Sequence, residues 1–138
     1  MKHEHRFDVR PYECDANAHV NNATYLNYLE VARVGFLKSA GITYRELMER
    51  EFGLMVVQVR IDYKGEALMD DPLLVVTEPI KKRYTGGTFS QKVYREGDGE
   101  PVLIADAEVV WVCVNRQKRP VRLPPFLDIP QLEPAAPA

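Results

Sequence analysis

Cysteine is scarce in this chain of 138 residues, with Cys14 and Cys113 the only two. Two thiols are too few for a disulfide framework, and neither stands in a CxxC or Cys/His cluster with the spacing of metal ligands. A reducing, cytoplasmic setting is therefore expected. Long apolar runs are missing as well: no segment approaches the ~20 apolar residues that a membrane span requires. The opening stretch MKHEHRFDVR has no apolar core of an export signal, so a soluble protein without a membrane partner is expected. Neither sign of charge dominates, because 18 Lys and Arg face 20 Asp and Glu for a net charge of -2. That balance gives no global attraction to nucleic acid, and no basic-aromatic interleaving suggests a local one. His3 and His5 form a single HxH near the terminus, which is too little for a metal site. No metal or redox cofactor is called for.

What is present fits one globular domain. A chain of this length buries roughly 68% of the surface it exposes when unfolded, and 46% hydrophobic residues supply the core. Phe7 and Val9 alternate with polar neighbours and suggest a first strand ending near Pro11. From Thr24 to Ala40 the apolar residues Tyr25, Leu29, Ala32, Phe36 and Ala40 recur every three or four positions, with Leu26, Val34 and Leu37 widening the stripe, as in a buried helix. Gly41 is placed for a left-handed C-cap, and Thr43 for the N-cap of a shorter helix through Leu47 and Met48. After Gly53 the period drops to two, with Met55, Val57, Val59, Ile61 and Tyr63 alternating with Gln58, Arg60 and Asp62 as along one strand. Strands at 73–82, 88–96 and 102–115 follow, separated by turn residues at Gly65, Asp70-Asp71-Pro72, Gly86-Gly87 and Gly97-Asp98-Gly99. The last, VLIADAEVVWVCVN, is the most apolar and belongs inside the sheet, with Trp111 in the core. Five of the ten prolines fall in the final 15 residues. The expected organisation is one domain over 1–128 and a proline-rich, extended or mobile tail over 129–138.

The stretch CDANAHVNNATYLNYLEVAR, residues 14–33, sets an acid, a histidine and three asparagines directly before the apolar helix. A helix N-terminus carries unpaired N–H groups and about half a positive charge. If the helix starts at Asn21 or Asn22, the amides of Asn22 and Ala23 are aimed over the loop holding Asp15, and such an arrangement polarises an ester or thioester carbonyl while a carboxylate attacks it or activates water. Asp and Asn are equally at home in caps and turns, and a lone loop histidine such as His19 is commonly structural. Both alternatives stand on the residues alone. Glu30 and Arg33, three apart on the helix, are spaced to pair.

This stretch closely resembles the signature of the hotdog-fold acyl-CoA thioesterases of the 4-hydroxybenzoyl-CoA thioesterase type, in the branch that reads D-x-x-x-H-V-N-N-x-x-Y-x-x-Y-x-E-x-A-R. Every fixed position of that pattern is filled here. The order of elements and the exit VVWVCVNRQKRPVRLP are also similar. The resemblance implies an α+β hotdog fold, with a curved antiparallel sheet around a long central helix. It implies an acyl-CoA thioesterase with Asp15 as nucleophile or general base, the Asn22 amide on the carbonyl, and His19 orienting loop or substrate. Tyr25 and Tyr28 would shape the acyl pocket or the dimer face. The alternatives are an acyl-carrier-protein thioesterase and a non-catalytic acyl-binding module; a hotdog dehydratase lacks its H-x-F-P loop here.

Coenzyme A carries phosphates, so basic residues are expected at the mouth of such a site. Two groups qualify: Lys81, Lys82 and Arg83 before the Gly86-Gly87 turn, and Arg116, Lys118, Arg119 and Arg122 after the last strand. A solvated turn accounts equally well for each. Hotdog sheets leave an edge open, so a homodimer with interfacial sites is expected, paired further into a tetramer.

Overall fold

The computed structural model describes residues 1–136; Pro137 and Ala138 lie outside the described residues. The chain runs β1 (His3–Asp8), a single 3-10 turn (Pro11–Glu13), α1 (Thr24–Ser39), α2 (Tyr44–Glu49), β2 (Gly53–Tyr63), β3 (Pro72–Lys82), β4 (Gly86–Arg95), β5 (Val102–Val114) and a second 3-10 turn (Pro130–Leu132). The strands form one antiparallel sheet in the order β1-β3-β4-β5-β2. α1 lies across one face of it.

The local signals act as expected at both helix boundaries beyond the motif. Gly41 has φ +86°, the Ile42 amide donates to the Leu37 carbonyl and the Gly41 amide to that of Lys38, which is a Schellman end. Thr43 Oγ1 accepts the Glu46 amide at 3.1 Å and caps α2. The core has two lobes along α1. Tyr25, Tyr28, Leu29 and Ala32 pack on Leu73, Val75, Val93 and Val109, whereas Phe36 and Leu37 pack with Phe89, Trp111 and Leu123. Trp111 is buried, and β5 is an inner strand flanked by β4 and β2.

Two expectations are corrected. The inner face of β2 changes phase at a bulge, because Val56 faces Trp111 while Gln58 faces Val110. Val57 is the extra residue, so Leu54 and Val56 share the inner face with Val59, Ile61 and Tyr63, and Met55 falls outside it. The chain also stays packed past residue 128. Leu132 is buried in the second lobe with Ile129 packed against it, and Lys82 reaches across to the Glu133 carboxylate as well as to Asp128. Proline excludes regular structure from this segment, yet it leaves Leu132 free to be buried.

Proline inside the sheet also has a local reason. Pro79 sits in β3 two residues beyond the last position paired with β1, and a bulge follows between Pro79 and Lys81. No ladder hydrogen bond is demanded of it on that side.

β2 remains an open edge. Val56, Val57, Val59 and Tyr63 are exposed on it, and an 11-residue apolar edge strand is a template for pairing with another strand. No helix among the described residues is long and apolar enough to cross a membrane.

Candidate active site

The polar stretch before α1 folds as a tight hairpin. The Asn21 amide donates to Glu13 carbonyl, Cys14 and Val20 form a bridge, and the Asp15 amide donates to the His19 carbonyl at 2.8 Å. At its tip, the Asn17 amide donates to Asp15 Oδ1 at 2.9 Å, the Ala18 amide to the Asp15 carbonyl, and Ala18 is left-handed with φ 65°. One carboxylate oxygen of Asp15 therefore builds the turn. The other has no protein partner among the described residues, and the side chain is exposed in the single chain.

α1 begins at Thr24, three residues after the earlier of the expected starts, Asn21, and two after the later, Asn22. Its cap, Ala23, has no side-chain oxygen, and Asn21 replaces it: Asn21 Oδ1 accepts the Ala23 amide at 2.9 Å and the Asn21 carbonyl accepts that of Thr24. Of the two amides expected to serve a carbonyl, that of Ala23 is thus taken. The Asn22 amide has no acceptor among the described residues. Its carbonyl accepts the Tyr63 hydroxyl at 2.8 Å, which ties the helix entrance to the end of β2. An open donor stands at the positive end of a 16-residue helix.

His19 is held from the other side of the loop. Its Nε2 lies 3.2 Å from Glu66 Oε2, and its backbone bridges Leu68 in the β2–β3 connection. These contacts join the hairpin to the β2–β3 connection, and the His19 side chain does not contact Asp15. Tyr25 and Tyr28, expected to shape a pocket or dimer face, are instead core residues, each 3% exposed. Their apolar rings stack edge-on, and Tyr25 meets Tyr63 in the same way.

The Tyr28 hydroxyl reveals a support that sequence reasoning missed. It donates to Glu13 Oε1 at 3.0 Å, while Arg10 donates to the same carboxylate from its amide, Nε and Nη2 at 2.8, 3.0 and 2.7 Å. Burial opposes the Glu13 charge, but the Arg10 and Tyr28 hydrogen bonds outweigh it and hold Glu13 below the ordinary glutamate range. Burial and the same carboxylate push Tyr28 far upward. The Arg10–Glu13 spacing of a capping pair was the available signal. Glu13→Gln is expected to cost roughly 2 kcal/mol, since it removes a buried charge-assisted network. The depressed folded pKa gives stability that is present above the unfolded glutamate pKa and lost as pH falls through the folded one. Thermal melts from pH 6 down to 3 check this: the wild type should lose its advantage over the variant below about pH 4.

Glu30 and Arg33 do not pair. Arg33 turns inward and donates to Gln91 Oε1 at 2.9 Å, and the buried Gln91 amide donates to the Leu29 carbonyl and to Thr77 Oγ1. Burial presses the Arg33 guanidinium below its usual value. Glu30, exposed, and Arg33 line a groove of about 400 Å³ between α1 and β2, together with Leu26, Leu29, Val56 and Val59.

The basic candidates lie elsewhere. β3 starts beside the hairpin's support, with Asp8 opposite Pro72, and Lys82 is its last residue. Ten steps of strand put Lys81, Lys82 and Arg83 about 30 Å away at the far end of the sheet. Lys82 is committed to Asp128 and Glu133, and the Arg83 guanidinium to Thr88 Oγ1. Arg119 follows β5 at that same far end. Within one chain, none of the expected phosphate contacts meets Asp15.

A curved antiparallel sheet with a long helix across it, entered through an acid-bearing hairpin, defines an α+β hotdog domain. The family model of the thioesterase-like superfamily matches residues 9–130, and the chain belongs to that family. It is similar to the long-chain acyl-CoA thioesterase FadM of Escherichia coli, with 31% identity over 107 residues, 78% of this chain and 79% of the relative. The chloroplastic acyl-acyl carrier protein thioesterase ATL3 of Arabidopsis thaliana is 31% identical over 127 residues, 88% of this chain and 63% of that protein. A crystal structure of a 4-hydroxybenzoyl CoA thioesterase variant complexed with 4-hydroxybenzoyl CoA superposes with a TM-score of 0.83 at 18% identity, covering 90% of this chain and 94% of that one; this likeness speaks for the fold. The protein is a thioester hydrolase of the hotdog class.

Proposed function

We propose that the protein hydrolyses acyl-CoA thioesters, with Asp15 as general base and the Asn22 amide as oxyanion donor. Water gives a proton to the free Asp15 oxygen and its oxygen adds to the thioester carbon, while the carbonyl oxygen takes up negative charge against the Asn22 N–H and the helix end. Collapse of the adduct breaks the C–S bond. The thiolate takes the proton back from Asp15, giving free coenzyme A and a carboxylic acid and restoring the Asp15 carboxylate. The observation that carries this reading is the open Asn22 donor at the base of the hairpin whose tip holds Asp15. The alternative, Asp15 as nucleophile, passes through an acyl–Asp15 anhydride; where water opens that anhydride at the Asp15 carbon, single turnover in H₂¹⁸O leaves the label on the Asp15 carboxylate, an outcome the general-base route does not give.

A screen of short, long, branched and aromatic acyl-CoAs, read as kcat/KM, tests the substrate class. Turnover of at least one is expected; failure on all of them contradicts the reading. Acyl-carrier-protein substrates belong in the same screen, because the ATL3 relative acts on that class by name. The two free thiols support a cytoplasmic site of action.

The open β2 edge supports a homodimer in which two copies of β2 pair about a two-fold axis, and pairs of dimers forming a tetramer. Sedimentation at micromolar concentration checks the state. Val57→Lys sets like charges near the axis of that pairing and is expected to yield monomers; an unchanged mass would contradict β2 as the interface.

A further inference from the structure

We propose, resting on the thioesterase reading, that Glu66 is a positioning residue for the reaction: through His19 it fixes the angle of the hairpin that carries Asp15, and so the gap between that carboxylate and the Asn22 amide.

The segment from Tyr63 to Leu68 is fastened to the sheet before it reaches the site. The amides of Lys64 and Gly65 both donate to the Ile104 carbonyl of β5, at 2.9 and 3.2 Å. Arg95, the last residue of β4, donates from Nη1 to the Glu66 carbonyl at 2.7 Å. Ala67 is fully buried, and the Leu68 amide donates to Asp71 Oδ2 at 2.8 Å, just ahead of β3. A connection with this many anchors has little freedom to open or shift.

Both halves of the site are mounted on it. Tyr63 holds the donor half, with its hydroxyl donating to the Asn22 carbonyl at 2.8 Å. The acid half is joined along a backbone line, where the Val20 amide donates to the Ala67 carbonyl at 2.9 Å and His19 bridges Leu68. Such a line leaves rotation about itself free, as a hinge does. The contact between His19 Nε2 and Glu66 Oε2, 3.2 Å, is made by side chains off that line and blocks the rotation. His19 passes the restraint to the acid, because its carbonyl accepts the Asp15 amide at 2.8 Å.

Magnitudes separate this role from a folding role. The two side chains are 40% and 63% exposed, and a pair so exposed adds little to stability. A reacting group misplaced by about 1 Å, by contrast, loses on the order of 10²-fold in rate. Removal of the Glu66 carboxylate is therefore nearly silent in folding and visible in kcat.

The test compares Glu66→Ala in the wild-type and the His19→Ala backgrounds. Alone, Glu66→Ala should lower kcat on acyl-CoA at least about tenfold, with KM within about twofold and Tm within about 4 °C of wild type. In the His19→Ala background the same substitution should change kcat by less than about twofold, since the contact is already gone. The ¹⁵N order parameters of Asp15, Asn17 and Ala18 should fall in Glu66→Ala with no substrate present. An unchanged kcat, an equal loss in both backgrounds, a loss confined to KM or unchanged order parameters each overturns the proposal, and so does a fall in Tm large enough to account for the lost activity. Absence of wild-type turnover on every thioester refutes the thioesterase reading instead, while the order parameters still report whether Glu66 holds the hairpin.

Discussion

Asp15→Asn is expected to lower acyl-CoA hydrolysis on the order of 10³-fold, about 4 kcal/mol of barrier, while leaving the fold intact. The asymmetry follows from the two jobs of this side chain. One oxygen accepts the Asn17 amide and shapes the hairpin tip, and an asparagine carbonyl accepts that bond equally well. In the proposed mechanism the other oxygen is the proton acceptor, and an amide cannot take a proton from water at neutral pH. The loss should appear in kcat, because the interaction is made as the proton moves. Asp15→Ala also deletes the turn bond, so it should show the same kinetic loss with a lower melting temperature. Retention of more than a tenth of the activity in Asp15→Asn, with turnover otherwise robust, would remove the carboxylate from the chemistry.

Gly86→Ala is expected to be the most damaging single methyl on the sheet. A Cβ at Gly86 would lie 2.1 Å from the Trp111 carbonyl oxygen and 2.9 Å from Val112 Cα. Both neighbours are backbone of an inner strand, paired with Gly86 through the β4–β5 ladder, so no rotamer change relieves the clash. Overpacking of a flexible core costs roughly 1–3 kcal/mol, and a rigid backbone neighbour puts this case at about 3 kcal/mol or above. The corresponding fall in Tm is about 10 °C. Gly97→Ala is the control, since nothing lies within 4 Å of its added carbon. Equal melting temperatures for the two variants would contradict the close approach at Gly86.

The contrast between these glycines shows how much the sequence exposes. Gly86-Gly87 reads as a hairpin turn, and the turn is there, with the Arg83 amide donating to the Gly86 carbonyl. Its stricter role arises from Trp111, 25 residues away, and no local pattern contains it. Periodicity gave the elements because α1 and the strands each bury one face, and that face is written at spacings of three to four or of two. It failed at Val57, where one extra residue shifts the phase of β2, and at Leu132, where proline hides a residue that is buried through tertiary contact. Within the candidate site, Asp15, His19 and Asn22 stand out in the sequence because all three lie in one continuous motif. Glu13, Tyr63 and Glu66 do not, since they act by reaching the hairpin from other elements: Glu13 through Arg10 and Tyr28, Tyr63 through the Asn22 carbonyl, Glu66 through His19. The tyrosines of the motif illustrate the converse. Tyr25 and Tyr28 stand beside the acid in sequence, yet helical geometry turns them into the core, where Tyr28 serves the acid-bearing hairpin only by holding Glu13.

The most direct measurement is a crystal structure of the Asp15→Asn protein with an acyl-CoA bound at the base of the hairpin. The thioester oxygen should lie about 3 Å from the Asn22 amide nitrogen, with the side chain at position 15 facing the carbonyl carbon across room for one water. A thioester bound with its oxygen on another donor, and the Asn22 amide bonded to a protein acceptor, would contradict the mechanism.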